Sequence, residues 1–198
     1  DGRALHKHVL TPISSITGWP IHRMYGRHGP PRVMKNKIMI GHWTMDKFSE
    51  FKECYTILTL RNATIRALSA CNFHKQPNIM DCFLTKRYRL WPEYHNDMVR
   101  RLLRTSDGIS KNLGCYGCGN ERDMTNGDLI DAVSSLGMFN MVCVSLRSCH
   151  EKLSVMFGDI GELPLAPRTK IHSPSELALA NAHNELDEEL FNVAIDVK

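Results

Sequence analysis

Apolar and polar positions fall along this chain in blocks whose period changes. Tyr55–Leu60 (YTILTL) is a short, β-branched apolar run that stops at Arg61 and passes without a spacer into a stretch of helical period, Asn62–Phe73. Short apolar runs of this kind are how buried strands of α/β proteins read. Lys37–His42 (KIMIGH) and Met141–Leu146 (MVCVSL) read the same way. Apolar spacing predicts helices over Asp1–Leu10, with Leu5 and Val9 on one face, and over Asp46–Glu53, with Met45, Phe48 and Phe51 on its apolar side. It also predicts helices over about Tyr94–Arg104, over Asn126–Leu136 capped by Asn126 or Thr125, and over Ser148–Phe157. The last helix has Ser173 as N-cap, Pro174 at its first position and Glu176 closing a capping box. Leu186, Leu190, Val193, Ala194 and Val197 then share one face of it, and Glu185, Asp187 and Glu188 form its solvated side. Prolines and glycines mark Thr11–Pro31 as largely loop, Leu163–His172 as a basic loop, and Gly114–Gly119 as a glycine-rich one.

Strands that alternate with helices give the fold class: α/β, a parallel sheet flanked by helices, in one domain over 1–198 of which 1–36 read as irregular. A composition of 42% hydrophobic and 23% charged residues suits a folded chain rather than a disordered one. The net charge of +4 favours an anionic ligand, yet no long basic run points to nucleic acid. No apolar stretch reaches the roughly 20 residues that span a bilayer.

Seven cysteines are scattered along the chain. Cys143, inside an apolar run, reads as a free buried thiol. Cys115-Tyr-Gly-Cys118 reads as a local disulfide, as two ordinary thiols, or as half of a zinc site completed by Cys149 and His150 or by His6 and His8. With no second CxxC, the first two readings are favoured and no metal is expected.

Candidate chemistry gathers after the Tyr55–Leu60 run. Ligands of α/β proteins sit beyond the carboxyl ends of the strands, where Arg61 stands. On a helix from Asn62, turning about 100° per residue, Asn62, Arg66 and Ser69 lie within roughly 60° of one another, while Ile65, Ala67, Leu68 and Cys71 mostly turn towards a core. An arginine at a strand tip with a hydroxyl further along the following helix makes a clamp for one phosphate. The plainer alternative is a strand-end arginine paired with a carboxylate and a surface serine. Trp43, Trp91 and Tyr94 offer rings for sugar stacking or for packing, and Asn62-Ala63-Thr64 has the form of a glycosylation sequon.

The order Gly41-His42, strand, then LRNATIRALS (residues 60–69) resembles the carbohydrate sulfotransferases of the heparan sulfate 2-O and 6-O type, which carry a His strand end followed by LRDPxxRxxS. Asn184, Leu186, Asp187, Leu190, Phe191 and Ala194 match the N-x-LD-x-x-LY-x-x-A pattern of that family's closing helix, with Phe for Tyr. The resemblance implies a P-loop-kinase-like sulfotransferase fold and PAPS (3′-phosphoadenylyl sulfate) as donor. It implies that Arg61 and Ser69 bind the donor's 3′-phosphate, that His42 is the general base, and that Arg168 and Lys170 close over the donor. It further implies a carbohydrate acceptor, such as an anionic polysaccharide, and a Golgi-lumenal setting with membrane attachment only through a segment outside this chain. Two departures stand out. The family's PKTGGTS-type loop for the 5′-phosphosulfate is missing from the sequence, so that the first strand of the fold is expected upstream of residue 1 and a sheet edge is expected to be open. The family's Asp-Pro is Asn62-Ala63. A non-catalytic relative that binds a 3′-phosphonucleotide or a glycan is the alternative.

Overall fold

Pro12 does not end the N-terminal helix. The protein, seen here as a computed structural model that describes residues 2–24, 35–41, 45, 48, 51, 53–73, 79–84, 95–103, 122–164 and 172–196, begins with α1 (Gly2–Leu5), which runs through a π-helical stretch (His6–Leu10) into α2 (Thr11–Thr17). The Thr11 N–H donates to the His6 carbonyl. That wider turn accommodates a proline ring and its missing N–H, which a regular helix interior would not. α2 closes at Gly18, whose φ of 70° is left-handed and whose N–H donates to the Ser14 carbonyl at 2.9 Å. Thr11–Pro31 is therefore not largely loop. It supplies α2 and then β1 (Ile21–Met24), which pairs in parallel with β2 (Ile38–Gly41), Ile21 opposite Ile38 and Met24 opposite Gly41.

The second ladder joins β3 (Ile57–Thr59) and β4 (Met141–Cys143), also parallel, with Ile57 opposite Met141. Met141 N–H to the Thr56 carbonyl (3.1 Å) and Leu60 N–H to the Cys143 carbonyl (2.7 Å) extend it at both ends. Both ladders rest on one apolar cluster: Val9, Leu10 and Ile13 meet Met141, Cys143, Cys149 and Leu153, with Ile21, Ile38, Ile40 and Ile57 packed against them. The result is a mixed α/β architecture of short parallel strands flanked by helices, as the alternation predicted, with the strands in two separate pairs.

After β3 come α3 (Ala63–Phe73), α4 (Ile79–Leu84), α5 (Asp97–Leu102) and α6 (Asn126–Leu136); after β4 come α7 (Leu146–Phe157), α8 (Pro174–Ala182) and α9 (Glu185–Asp196). A Ser145–Ser148 capping box starts α7 two residues earlier than expected and so shortens β4. Of the two caps expected for α6, Thr125 is the one that forms, and the Ser173–Glu176 box of α8 is as predicted. The expected single closing helix is two helices, broken at His183 and Asn184. α3, α4 and α8 share a cluster of Ala67, Leu68, Phe83 and Ala180, stapled by a Cys71–Cys82 disulfide with a Cα separation of 6.2 Å. Leu60, Val99, Leu102, Ala132, Leu136 and Leu190 fill the third cluster, between β3, α5, α6 and α9. Most of the helix expected over Asp46–Glu53 lies outside the described residues, but Met45 and Phe51 are buried and Phe48 packs edge-on against Phe139 at 5.1 Å. Among the described residues no helix is long and apolar enough to cross a membrane.

Candidate functional site

α3 begins directly after the strand tip, and the closing helix fixes its first turn. Asn62 caps it, its Oδ1 accepting from Ile65 N–H at 3.0 Å. The Asn62 Nδ2 donates to Glu188 Oε1 at 2.8 Å, and Ala63 N–H donates to Glu188 Oε2 at 3.2 Å. Asn62 and Ala63 both supply protons that an Asp-Pro pair at these positions would lack. An ionised aspartate has no proton for Glu188, and a proline has no N–H for it. The Glu188 carboxylate occupies the place at this helix N-terminus where an anion would sit. A phosphate here would therefore be held by the side chains around the turn.

Arg61 and Arg66 have different surroundings. Arg66 donates to Asp97 at 2.8 Å and lies 3.7 Å from Asp187, so the arginine expected on the clamp face belongs to a buried ionic network. Asp97 also accepts from Arg101 at 2.7 Å. Burial alone would raise the Asp97 carboxyl, but Arg101, Arg66 and Arg100 outweigh it and hold it below the ordinary range. Arg61 is half-buried and has no hydrogen-bond or ion-pair partner among the described residues. Its pKa is lowered, first by burial and then by the charge of Arg66. Ser69 is exposed on α3; Ala67, Leu68 and Cys71 are fully buried, as the helical spacing predicted, while Ile65 is only partly buried.

The closing helix departs from expectation in its acidic residues. Asp187 is not solvated; it is fully buried, and its two oxygens accept from Val99 N–H at 2.7 Å and Met98 N–H at 2.9 Å. Burial pushes its pKa up to about 6 against the opposing pull of Arg66 and these amides. Asn184, also fully buried, accepts from Asn96 N–H at 2.9 Å, and Asn96 in return accepts from Asp187 N–H at 3.1 Å. Two of the matched positions, Asn184 and Asp187, thus hold the N-terminus of α5, while Glu188 holds that of α3. Of the three expected solvated acids only Glu185 is exposed.

Next to this junction lies a cleft of about 190 Å³ lined by His95, Asn96, Arg100, Asp123 and His183 among others. The His95 and His183 rings meet edge to face at 4.7 Å, and Phe83 stacks on His183 at 5.7 Å. Burial, then the neighbouring His183, lowers the His95 pKa to about 3, so that its imidazole is neutral at physiological pH. Sequence reasoning missed this cleft. It is assembled from three distant segments, and a lone histidine carries no periodic signal.

His42, Arg168, Lys170, Cys115, Cys118, Trp43, Trp91 and Tyr94 lie outside the described residues. The histidines and the cysteine expected to complete a zinc site have other neighbours. His6 contacts the Arg23 guanidinium at 3.1 Å, the His150 ring hydrogen-bonds the Gly161 carbonyl at 2.7 Å, and Cys149 is buried in the apolar cluster that also holds Cys143 and Leu153. Among the described residues no group of three or more His, Cys, Asp or Glu side chains is arranged to hold a metal ion. In comparisons with known proteins, no family model, curated protein or solved structure matches the chain.

Proposed function

We propose that this chain binds 3′-phosphoadenylyl sulfate and transfers its sulfuryl group to a carbohydrate hydroxyl, on a P-loop-kinase-like sulfotransferase fold. The observation that carries the reading is Arg61. The plain alternative for a strand-end arginine is a carboxylate partner, but Arg61 has none among the described residues, and Asp97 and Asp187 are engaged by Arg66. A half-buried guanidinium without a described partner, at the carboxyl end of a parallel strand, is suited to an external dianion. The 3′-phosphate of the donor is that dianion, and the exposed Ser69 hydroxyl on the following helix is a second donor to it.

In the reaction, His42 takes the proton of the acceptor hydroxyl, the oxygen attacks sulfur, and the bond from sulfur to the phosphate oxygen breaks to release adenosine 3′,5′-bisphosphate. Arg168 and Lys170 neutralise charge on the donor, since positioning and charge stabilisation dominate such transfers. The Cys71–Cys82 disulfide supports an oxidising compartment, in keeping with a Golgi lumen and a polysaccharide acceptor.

A second reading is a non-catalytic protein that binds a 3′-phosphonucleotide or glycan, since the clamp at Arg61 and Ser69 addresses only the 3′-phosphate end of the donor. Titration with adenosine 3′,5′-bisphosphate tests the site common to both readings. Transfer of radiolabelled sulfate from PAPS to heparan- and chondroitin-type acceptors then separates them. Label in the acceptor, lost in His42→Ala, supports the enzyme; nucleotide binding without transfer supports the relative.

A further inference from the structure

Charge is unevenly spread along the chain. Residues 1–45 hold seven lysines and arginines and a single acid, Asp1, whereas residues 46–198 hold 18 basic and 20 acidic residues. The net charge of +4 therefore resides in the N-terminal segment. That segment has its own packing: Ile21 of β1 and Ile38 and Ile40 of β2 rest on the cluster that holds Val9, Leu10 and Ile13 of the N-terminal helix. Lys7, Arg23 and Lys35 are exposed on it, and none of the three has a carboxylate partner among the described residues. Basic residues elsewhere are compensated, Arg66 and Arg101 by Asp97 and Arg122 by Asp128. Arg23 is held against His6, its Nη2 lying 3.1 Å from both ring nitrogens, which places the guanidinium over the ring face. A guanidinium stacked in this way keeps N–H groups for an outside acceptor. Burial and then Arg23 lower the His6 pKa, so the ring beneath the guanidinium is neutral at physiological pH.

We propose that this N-terminal segment is a docking surface for an acidic polysaccharide, whose sulfate and carboxylate groups meet Lys7, Arg23 and Lys35. Uncompensated charges spread over a folded surface attract a polymer of repeating negative charge more strongly than a single small anion. The Cys71–Cys82 disulfide belongs to oxidising compartments, where such a polymer is an acidic polysaccharide rather than a nucleic acid. The role of the surface in holding an acceptor rests on the sulfotransfer reading. The binding itself rests on these charges alone and requires no nucleotide.

The test is fluorescence anisotropy of a labelled heparin oligosaccharide titrated with the whole protein, with single-stranded DNA of equal charge and phosphatidylserine vesicles as competitors. The expected result is saturable binding that weakens as salt is raised. Kd should rise at least about tenfold in the triple variant Lys7→Gln, Arg23→Gln, Lys35→Gln at unchanged Tm. The double variant Lys7→Gln, Lys35→Gln, which spares the Arg23 contact with His6, should lose affinity about threefold or more. Arg147→Gln removes an exposed charge on α7, outside the segment, and should change Kd by less than about twofold. Oligosaccharide binding that persists where adenosine 3′,5′-bisphosphate fails to bind would leave this surface standing and remove the sulfotransfer reading. Wild-type affinity in the triple variant, or an equal loss in Arg147→Gln, would overturn the proposal. So would tighter binding of the DNA or the vesicles than of the oligosaccharide.

Discussion

Arg66 donates to Asp97 at 2.8 Å, whereas Arg61, whose pKa is lowered by burial and then by the charge of Arg66, has no ion-pair partner among the described residues. Two arginines at one strand-to-helix turn therefore do different work. One is part of a buried ionic network, and the other is the residue proposed to meet a ligand.

Their removal should separate stability from binding. Arg66→Ala leaves Asp97 and Asp187 buried with less countercharge and is expected to destabilise the fold by about 3 kcal/mol or more. Arg61→Ala removes a half-buried charge that repels its neighbour, and should change stability by no more than about 0.5 kcal/mol. Urea unfolding of the two variants checks this. Equal losses would mean that Arg61 is structural after all.

The bond between Glu188 and Asn62 ties the closing helix to the first turn of α3, and it can be tested as a couple. Asn62→Asp places a carboxylate against Glu188 and is expected to cost about 1–2 kcal/mol. Glu188→Gln should restore part of that loss, because the amide can donate to the introduced carboxylate where the acid could not. A double-mutant cycle with no coupling between the two positions contradicts the geometry.

Acid sensitivity should come from His95. Its folded pKa of about 3 lies below the ordinary 6.5, so its contribution to stability is complete above 6.5 and is lost as pH falls towards 3. His95→Gln should flatten the decline in stability over that window, by an amount of the order of a few kcal/mol. An unchanged slope would show that His95 takes up its proton in the folded state as readily as in the unfolded one.

Asp187 acts in the opposite sense. Its folded pKa of about 6 exceeds the ordinary 3.8, so protonation favours the fold as pH falls from about 6 to 3.8. Asp187→Asn should lose stability at neutral pH through the second amide left without an acceptor, and should lack the wild type's gain over that interval. Unfolding curves across the interval measure the difference directly.

Local rules made much of this fold legible. The Ser173–Glu176 box and the Thr125 cap depend on neighbours three residues away, and both form as read. Ala67, Leu68 and Cys71 are buried as their spacing on α3 requires. What could not be read depends on partners distant in the chain. Asp187 looked solvated because a helical pattern records charge and not the α5 amides that meet it. The segment from Thr11 read as loop because the tolerance of Pro12 rests on the π-helical turn before it. The Cys71–Cys82 pairing carried no spacing signal, since it needs α4 folded back on α3. At the candidate site the strand tip was legible, but the division of labour between Arg61 and Arg66 was not, because it is set by Asp97 on another helix.

The account rests most heavily on Arg61 as a ligand for a nucleotide 3′-phosphate. Calorimetric titration of the wild type and Arg61→Ala with adenosine 3′,5′-bisphosphate, with the 5′-monophosphate as control, measures this directly. The expected result is saturable binding of the bisphosphate by the wild type, loss of at least about tenfold in affinity in a folded Arg61→Ala, and little preference of the variant for bisphosphate over monophosphate. No binding by the wild type, or equal binding by both proteins, would contradict it.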